Sequence, residues 1–165
     1  MNEPHVETRA AQPYAAIRRS VGLDGLTAAV DQAFPPLFGW LAGQSVAVAA
    51  APFIRYVVID MPGRLDIELG VPAAVTAGDG GDIQPGLLPA GRYAVLRHVG
   101  PFDGLIGANA ALLDWAREQG LTLDCWDTDE GTAWRSRVEH YLTDPSAEPD
   151  PAKWETEIAC LTRES

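Results

Sequence analysis

Tyr14-Ala15-Ala16-Ile17-Arg18, followed by Asp24-Gly25-Leu26 and Ala29, is the stretch on which the fold turns. It returns as Tyr93-Ala94-Val95-Leu96-Arg97, followed by Asp103-Gly104-Leu105 and Ala108, a shift of 79 positions from residue 14 to residue 93. An internal repeat means two copies of one supersecondary unit, each leaving an apolar face for the other to help bury. Each copy opens on a β-prone run, Tyr14 to Arg19 and Tyr93 to His98. A glycine-containing turn and a helical stretch follow in both.

The second helix is the clearer one. Leu105, Ala108, Leu112, Trp115 and Ala116 fall on one helical stripe, and Gly120 stands where a C-terminal cap belongs. In the first copy, Asp24 to Gly43 carries Leu26, Val30, Phe34, Leu37, Phe38 and Leu41, but Pro35 and Pro36 interrupt it. Proline removes a helical donor, so a kinked or two-piece helix is expected there. Two strands close each copy: Phe53 to Ile59 with Leu65 to Val71, and Arg137 to Thr143 with Trp154 to Leu161. Met61-Pro62-Gly63 and the proline-rich run from Asp144 to Pro151 mark the turns, and Gly78 to Asp82 reads as a flexible loop between the halves.

The expected architecture is therefore α+β: a tandem βαββ repeat with pseudo-two-fold symmetry, an antiparallel sheet with helices on one face, and a ligand cleft between the repeats. Repeat one spans about 13–77 and repeat two about 91–163, within a single domain 13–165 preceded by a flexible arm, residues 1–12. The other sheet face is expected to be left free to meet its twin.

Composition narrows the function. The chain has 165 residues, 47% of them hydrophobic, and 23 acidic residues against 12 basic ones give a net charge of −11. No basic patch offsets that charge, which argues against direct nucleic-acid binding. Cys125 and Cys160 form no C-x-x-C pair and read as reduced core thiols. The longest apolar run, Val46 to Ala51, is far too short to span a membrane, and no secretory signal precedes it, so a cytoplasmic protein is expected. The three histidines are scattered, and Asp124, Asp127, Asp129 and Glu130 do not have calcium-loop spacing. No metal, haem or other cofactor is expected, and the chain has no nucleophile elbow, phosphate loop or dinucleotide fingerprint.

Three segments carry a resemblance: Gly91 to Phe102, Glu139-His140-Tyr141-Leu142-Thr143-Asp144-Pro145, and Trp154-Glu155-Thr156-Glu157-Ile158. With Asp66-Ile67-Glu68-Leu69-Gly70-Val71-Pro72, they resemble the GyrI-like small-molecule-binding domain, the effector-binding half of bacterial multidrug-responsive regulators. The resemblance runs from Pro13 to the C-terminus. Regulators of that family carry a helix-turn-helix module ahead of this domain, and no room for one precedes Pro13, so a stand-alone form is implied.

The resemblance also points to residues. It associates the glutamate at the position of Glu139 with cationic, aromatic ligands, and strand alternation turns Tyr141 the same way. A carboxylate shielded from water attracts a cation strongly, and aromatic walls add dispersion and cation–π contacts. Without the resemblance, Glu139 is an ordinary exposed strand glutamate. Tyr56 and Tyr141 occupy equivalent strands, as do Glu68 and Glu157, so these pairs are candidates for the cleft. Glu68 should look away from the core if Leu65, Ile67 and Leu69 are core. Two carboxylates in a cleft can act as acid and base, and rim carboxylates pairing with Arg55, Arg97 or Arg137 are at least as good a reading. Of the five tryptophans, Trp40 and Trp115 sit near helical stripes, whereas Trp126, Trp134 and Trp154 are candidate cleft walls.

Binding of a lipophilic, cationic or aromatic compound is the leading expectation, for sequestration or sensing. Hydrolysis of reactive cyclopropane-containing genotoxins is the alternative that the resemblance also implies, with Glu139, Tyr141 and Glu157 as catalytic residues. Inhibition of gyrase through a protein contact ranks third. The copies differ most at Glu139, whose counterpart in the first half is Ile54.

Overall fold

The computed structural model of the chain describes residues 3–60 and 63–163. In chain order the elements are β1 (His5–Arg9), β2 (Gln12–Val21), α1 (Leu26–Gly43), β3 (Phe53–Asp60), β4 (Arg64–Pro72), β5 (Ile83–Leu88), β6 (Gly91–Val99), α2 (Leu105–Glu118), β7 (Cys125–Thr128), β8 (Gly131–Trp134), β9 (Arg137–Tyr141) and β10 (Glu155–Leu161). Each helix is entered through a single 3-10 turn, Leu23–Gly25 before α1 and Phe102–Gly104 before α2. The two βαββ units are thus β2-α1-β3-β4 and β6-α2-β9-β10, as the repeat requires.

All strand pairs are antiparallel, in the order β1-β6-β10-β9-β3-β4-β2-β5, with β8 continuing the seam along β3 and β7 pairing β8. The two units are joined edge to edge through β3 and β9. At that seam Phe53 lies opposite His140, Ile54 opposite Glu139 and Arg55 opposite Val138. Ile54 and Glu139 are repeat mates, so the pseudo-dyad passes between them.

Alternation sorts the strands onto two faces. On one face, α1 covers Ala15, Ile17, Ile54, Tyr56, Ile67 and Leu69, and α2 covers Ala94, Leu96, Ile158 and Cys160. The other face holds a third apolar cluster drawn from both halves, with Tyr14 and Phe53 from the first and Tyr93, Val138 and Ala159 from the second. The face that the helices leave free therefore meets its twin, as expected, in a core shared by both halves.

Leu105, Ala108, Leu112 and Ala116 of α2 are buried as their spacing predicts. Gly120, at φ 74°, ends the helix: Leu121 N donates to Ala116 O and Gly120 N to Arg117 O, the paired bonds of a Schellman cap. Of the kinked or two-piece helix expected, the two-piece form is not found: residues 26–43 form one helix through both prolines. Pro35 and Pro36 lie on its exposed side, and the carbonyls they deprive belong to exposed Asp31 and Gln32, where water supplies the missing donors.

His5–Arg9, expected within a flexible arm, is strand β1. It pairs with β6 from His5 opposite Val95 to Arg9 opposite Gly91. Arg9 fixes it by donating to Glu157 Oε1 at 2.5 Å and to Glu7 Oε2 at 2.6 Å. Of the Met61-Pro62-Gly63 turn, Met61 and Pro62 lie outside the described residues.

Candidate functional site: a covered carboxylate on the pseudo-dyad

Glu139 sits on the helix-covered face of β9 at 5% exposure. A carboxylate there is costly unless its oxygens are satisfied. Three donors meet that need. Tyr56 Oη on β3 donates to Oε1 at 2.8 Å, and Tyr141 Oη, two residues on along β9, donates to the same oxygen at 2.9 Å. Asn109 on α2 donates its amide to Oε2 at 2.9 Å. Burial pushes both phenols well above their ordinary pKa of 10.0, and the charge of Glu139 adds to the shift, so both remain protonated donors.

Asn109 is oriented in turn. Its side-chain oxygen accepts from Arg137 Nη2 at 3.2 Å, which leaves the amide nitrogen facing Glu139. Arg137 therefore lies one residue-pair from the carboxylate along β9 without bonding to it, and its guanidinium stacks on Trp134 at 4.5 Å. Toward the other end of the strand, Phe102 meets Tyr141 edge-on at 5.6 Å and Trp154 at 4.8 Å. The Trp154 indole donates to Glu148 O at 2.8 Å, which pins that wall. The row Trp134, Arg137, Glu139, Tyr141, Phe102, Trp154 thus runs along one face of the seam.

The geometry parts the remaining candidates from this row. Glu68 and Glu157 lie on the opposite face, because Ile67, Leu69 and Ile158 face the helices. Glu68 accepts from Tyr14 Oη at 2.7 Å and lies 3.7 Å from Arg55, while Glu157 is held by Arg9 and lies 3.9 Å from Arg97. They do not share a cleft with Glu139: the expected pair of facing carboxylates is two ion-paired clusters related by the repeat, beneath the sheet. Trp126 also points away from Trp134. In the β7–β8 hairpin it is opposite Ala133 while Trp134 is opposite Cys125, and Trp126 is 44% exposed beneath Arg135. Among the described residues no group of His, Cys, Asp and Glu could hold a metal ion. Cys160 is fully enclosed, and burial pushes its thiol up to about 11.

Sequence reasoning missed Asn109 and left Arg137 only as a partner for carboxylates. The repeat held a signal for Asn109: its mate in α1 is Val30. An amide replacing an apolar residue on an otherwise apolar stripe needs a polar partner beneath it, and Glu139 replaces Ile54 on that same side of the dyad.

The model of the GyrI-like small molecule binding domain family matches residues 2–160, nearly the whole chain and all of this site. The chain belongs to that family. Solved structures agree on the fold of this GyrI-like domain. The EcmrR C-terminal domain is 20% identical with a TM-score of 0.78, over 99% of this chain and 98% of that one. In the EcmrR–DNA complex the match covers 99% of this chain and 58% of the EcmrR chain, at 20% identity and a TM-score of 0.79, so this chain spans little more than half of that regulator. A hydrolase from Listeria innocua is similar at 14% identity and a TM-score of 0.64, over 98% and 92% of the two chains. SAV2435 bound to tetraphenylphosphonium is similar at 11% identity and a TM-score of 0.60, over 98% and 94%. No curated protein matches the sequence. Among the described residues, no helix is long and apolar enough to cross a membrane.

Proposed function

We propose that this GyrI-like domain binds lipophilic cations or cationic aromatic compounds at the seam, with Glu139 supplying the charge and Tyr56, Tyr141, Phe102, Trp134 and Trp154 the walls. The observation that carries this reading is a buried carboxylate that accepts three hydrogen bonds and has no cation among its partners. Uncharged donors hold Glu139 in place without neutralising it, so its charge remains to attract a cation in a medium far less polarisable than water. That a similar fold has been seen with tetraphenylphosphonium bound supports the ligand class. A role in capturing or reporting such compounds follows.

A hydrolase is less well supported. A carboxylate offers about four acceptor positions, and three here are occupied. The phenols stay protonated, so none of these groups stands ready as a base toward water. Titrating tetraphenylphosphonium against tryptophan fluorescence tests the reading. We expect saturable quenching that Glu139→Gln weakens at least tenfold, about 1.4 kcal/mol. Equal binding by wild type and Glu139→Gln would overturn it. Catalytic loss of a strained electrophile, in place of stoichiometric capture, would favour the hydrolase.

A further inference from the structure

We infer that Arg137 and Trp134 form a second recognition subsite that takes an acceptor oxygen, best a carboxylate, of the compound whose cationic part lies at Glu139. The inference rests on the proposed cation reading for one end of the ligand and on separate observations for the other.

Those observations concern unused donors in one cleft. A cleft of about 370 Å³ opens on the helix-covered face where β3, β8 and β9 meet, lined by Ile59, Asp60, Gly131, Thr132, Trp134 and Arg137. Trp134 is 9% exposed, and its indole Nε1 is buried without a hydrogen-bond partner. Arg137 Nε is likewise buried and unpartnered. An unmade bond at a buried donor costs about 1–3 kcal/mol, so two of them on residues that line one cleft call for an acceptor.

Charge adds to this. In a chain with 23 acidic residues and 12 basic ones, most arginines sit against a carboxylate. Among the described residues, none of the ion pairs includes Arg137. Among the described residues it donates to the neutral Asn109. Stacking on Trp134 holds the guanidinium plane without consuming its charge. Asp60, the one carboxylate lining the cleft, is exposed at its rim, where water and salt screen it.

The separation fixes the kind of ligand. Arg137 and Glu139 are two residues apart on one face of β9, about 7 Å along the strand. Asn109 lies between them, hydrogen-bonded to both, so a compound that sets a cation at Glu139 and an oxyanion against Arg137 must reach across it, and the subsite selects amphoteric compounds over purely cationic ones.

Rhodamine 110 and rhodamine 123 share one xanthylium cation and differ only in a free carboxylate against its methyl ester. Wild type should bind rhodamine 110 at least fivefold more tightly by fluorescence polarisation. Arg137→Met should erase that preference, and Trp134→Phe, which keeps the stacking ring but lacks the donor, should reduce it. Because each result is a ratio of two ligands on one protein, a general loss of stability in a variant cancels. Equal binding of the two dyes by wild type, or a preference that survives in Arg137→Met, would overturn the subsite and leave the Glu139 reading standing. Absence of binding by either dye would overturn both.

Discussion

At the scale of single residues, the molecule is organised around two ionisable groups back to back on β9, one buried and one partly buried. Glu139 faces the helices and His140 the opposite face, where it lies 5.4 Å from the Phe53 ring and directly opposite Glu157 on β10. For Glu139, the buried Tyr56 bond matters more than that of Tyr141, which is only partly buried. A hydrogen bond to a charged group contributes about 1.5–3 kcal/mol. Tyr56→Phe should therefore lower the urea-derived unfolding free energy by about 2 kcal/mol, and Tyr141→Phe by clearly less; the reverse order would contradict the burial argument. His140 gives a pH dependence. Burial lowers its pKa from 6.5 to about 4, with Glu157 partly opposing the shift and Arg9 adding to it. The unfolded chain then takes up a proton that the folded chain refuses, so stability declines as pH falls below about 6.5 and levels off below about 4. The size of that loss is about 3 kcal/mol. His140→Gln should unfold at a lower pH than wild type in an acid titration followed by circular dichroism, provided the two are matched in stability at neutral pH.

At the scale of elements, what was legible in the sequence is what the repeat duplicates. Six strands and two helices follow from paired letters and apolar spacing, because both report a local period. Strands β1, β5, β7 and β8 have no repeat mates and depend on distant partners. β1 is polar, and its anchor, Arg9 to Glu157, joins residues 148 positions apart. β5 contains Pro85 and Gly86, poor strand formers, yet it serves as an edge strand where proline is tolerated. Gly86 is required there: a Cβ would meet the Tyr14 ring at 2.3 Å. The site divides in the same way. Tyr56, Tyr141 and Glu139 could be grouped from alternation and the repeat, whereas the Asn109–Arg137 link joins a helix to a strand and has no periodic signature. Two tests belong here. Arg9→Gln should speed hydrogen exchange of β1 and the neighbouring edge of β6 while leaving α1 unaffected. Pro35→Ala, on the exposed side of α1, restores a helical donor at a position where proline costs about 3 kcal/mol relative to alanine. Against that, the unfolded chain gains about 1 kcal/mol of freedom. A net stabilisation of about 1–2 kcal/mol is expected in thermal or urea unfolding, and a destabilisation would show that the helix is shaped around its prolines.

At the scale of the whole molecule, the question is what makes two repeats one folding unit. The core under α1 draws only on the first half apart from Tyr141, and the core under α2 only on the second. Backbone pairing at the β3–β9 seam spans just Phe53 to Arg55. What ties the halves together is the third cluster, where Phe53 is fully buried and meets Tyr14 edge-on at 5.0 Å beside residues of the second half. Cooperation between the halves should therefore depend on Phe53 more than on larger clusters within either half. Wild type should unfold in one calorimetric transition whose van't Hoff and calorimetric enthalpies agree. Phe53→Ala costs about 3–5 kcal/mol as a cavity, and it should also push that agreement apart by letting one half melt before the other. Leu112→Ala, fully buried but confined to the α2 cluster, should cost about 2–5 kcal/mol and keep the transition single. Two transitions in wild type, or equal loss of cooperativity in both variants, would show that the seam joins the halves too weakly for the shared cluster to couple them. The proposed binding at the pseudo-dyad would draw on the same coupling, since Tyr56 and Asn109 reach Glu139 from opposite repeats. On the proposed reading, a cation at 100 times its Kd would add about 2.7 kcal/mol to the folded state, and in Phe53→Ala that increment should bring the two halves back toward a single transition.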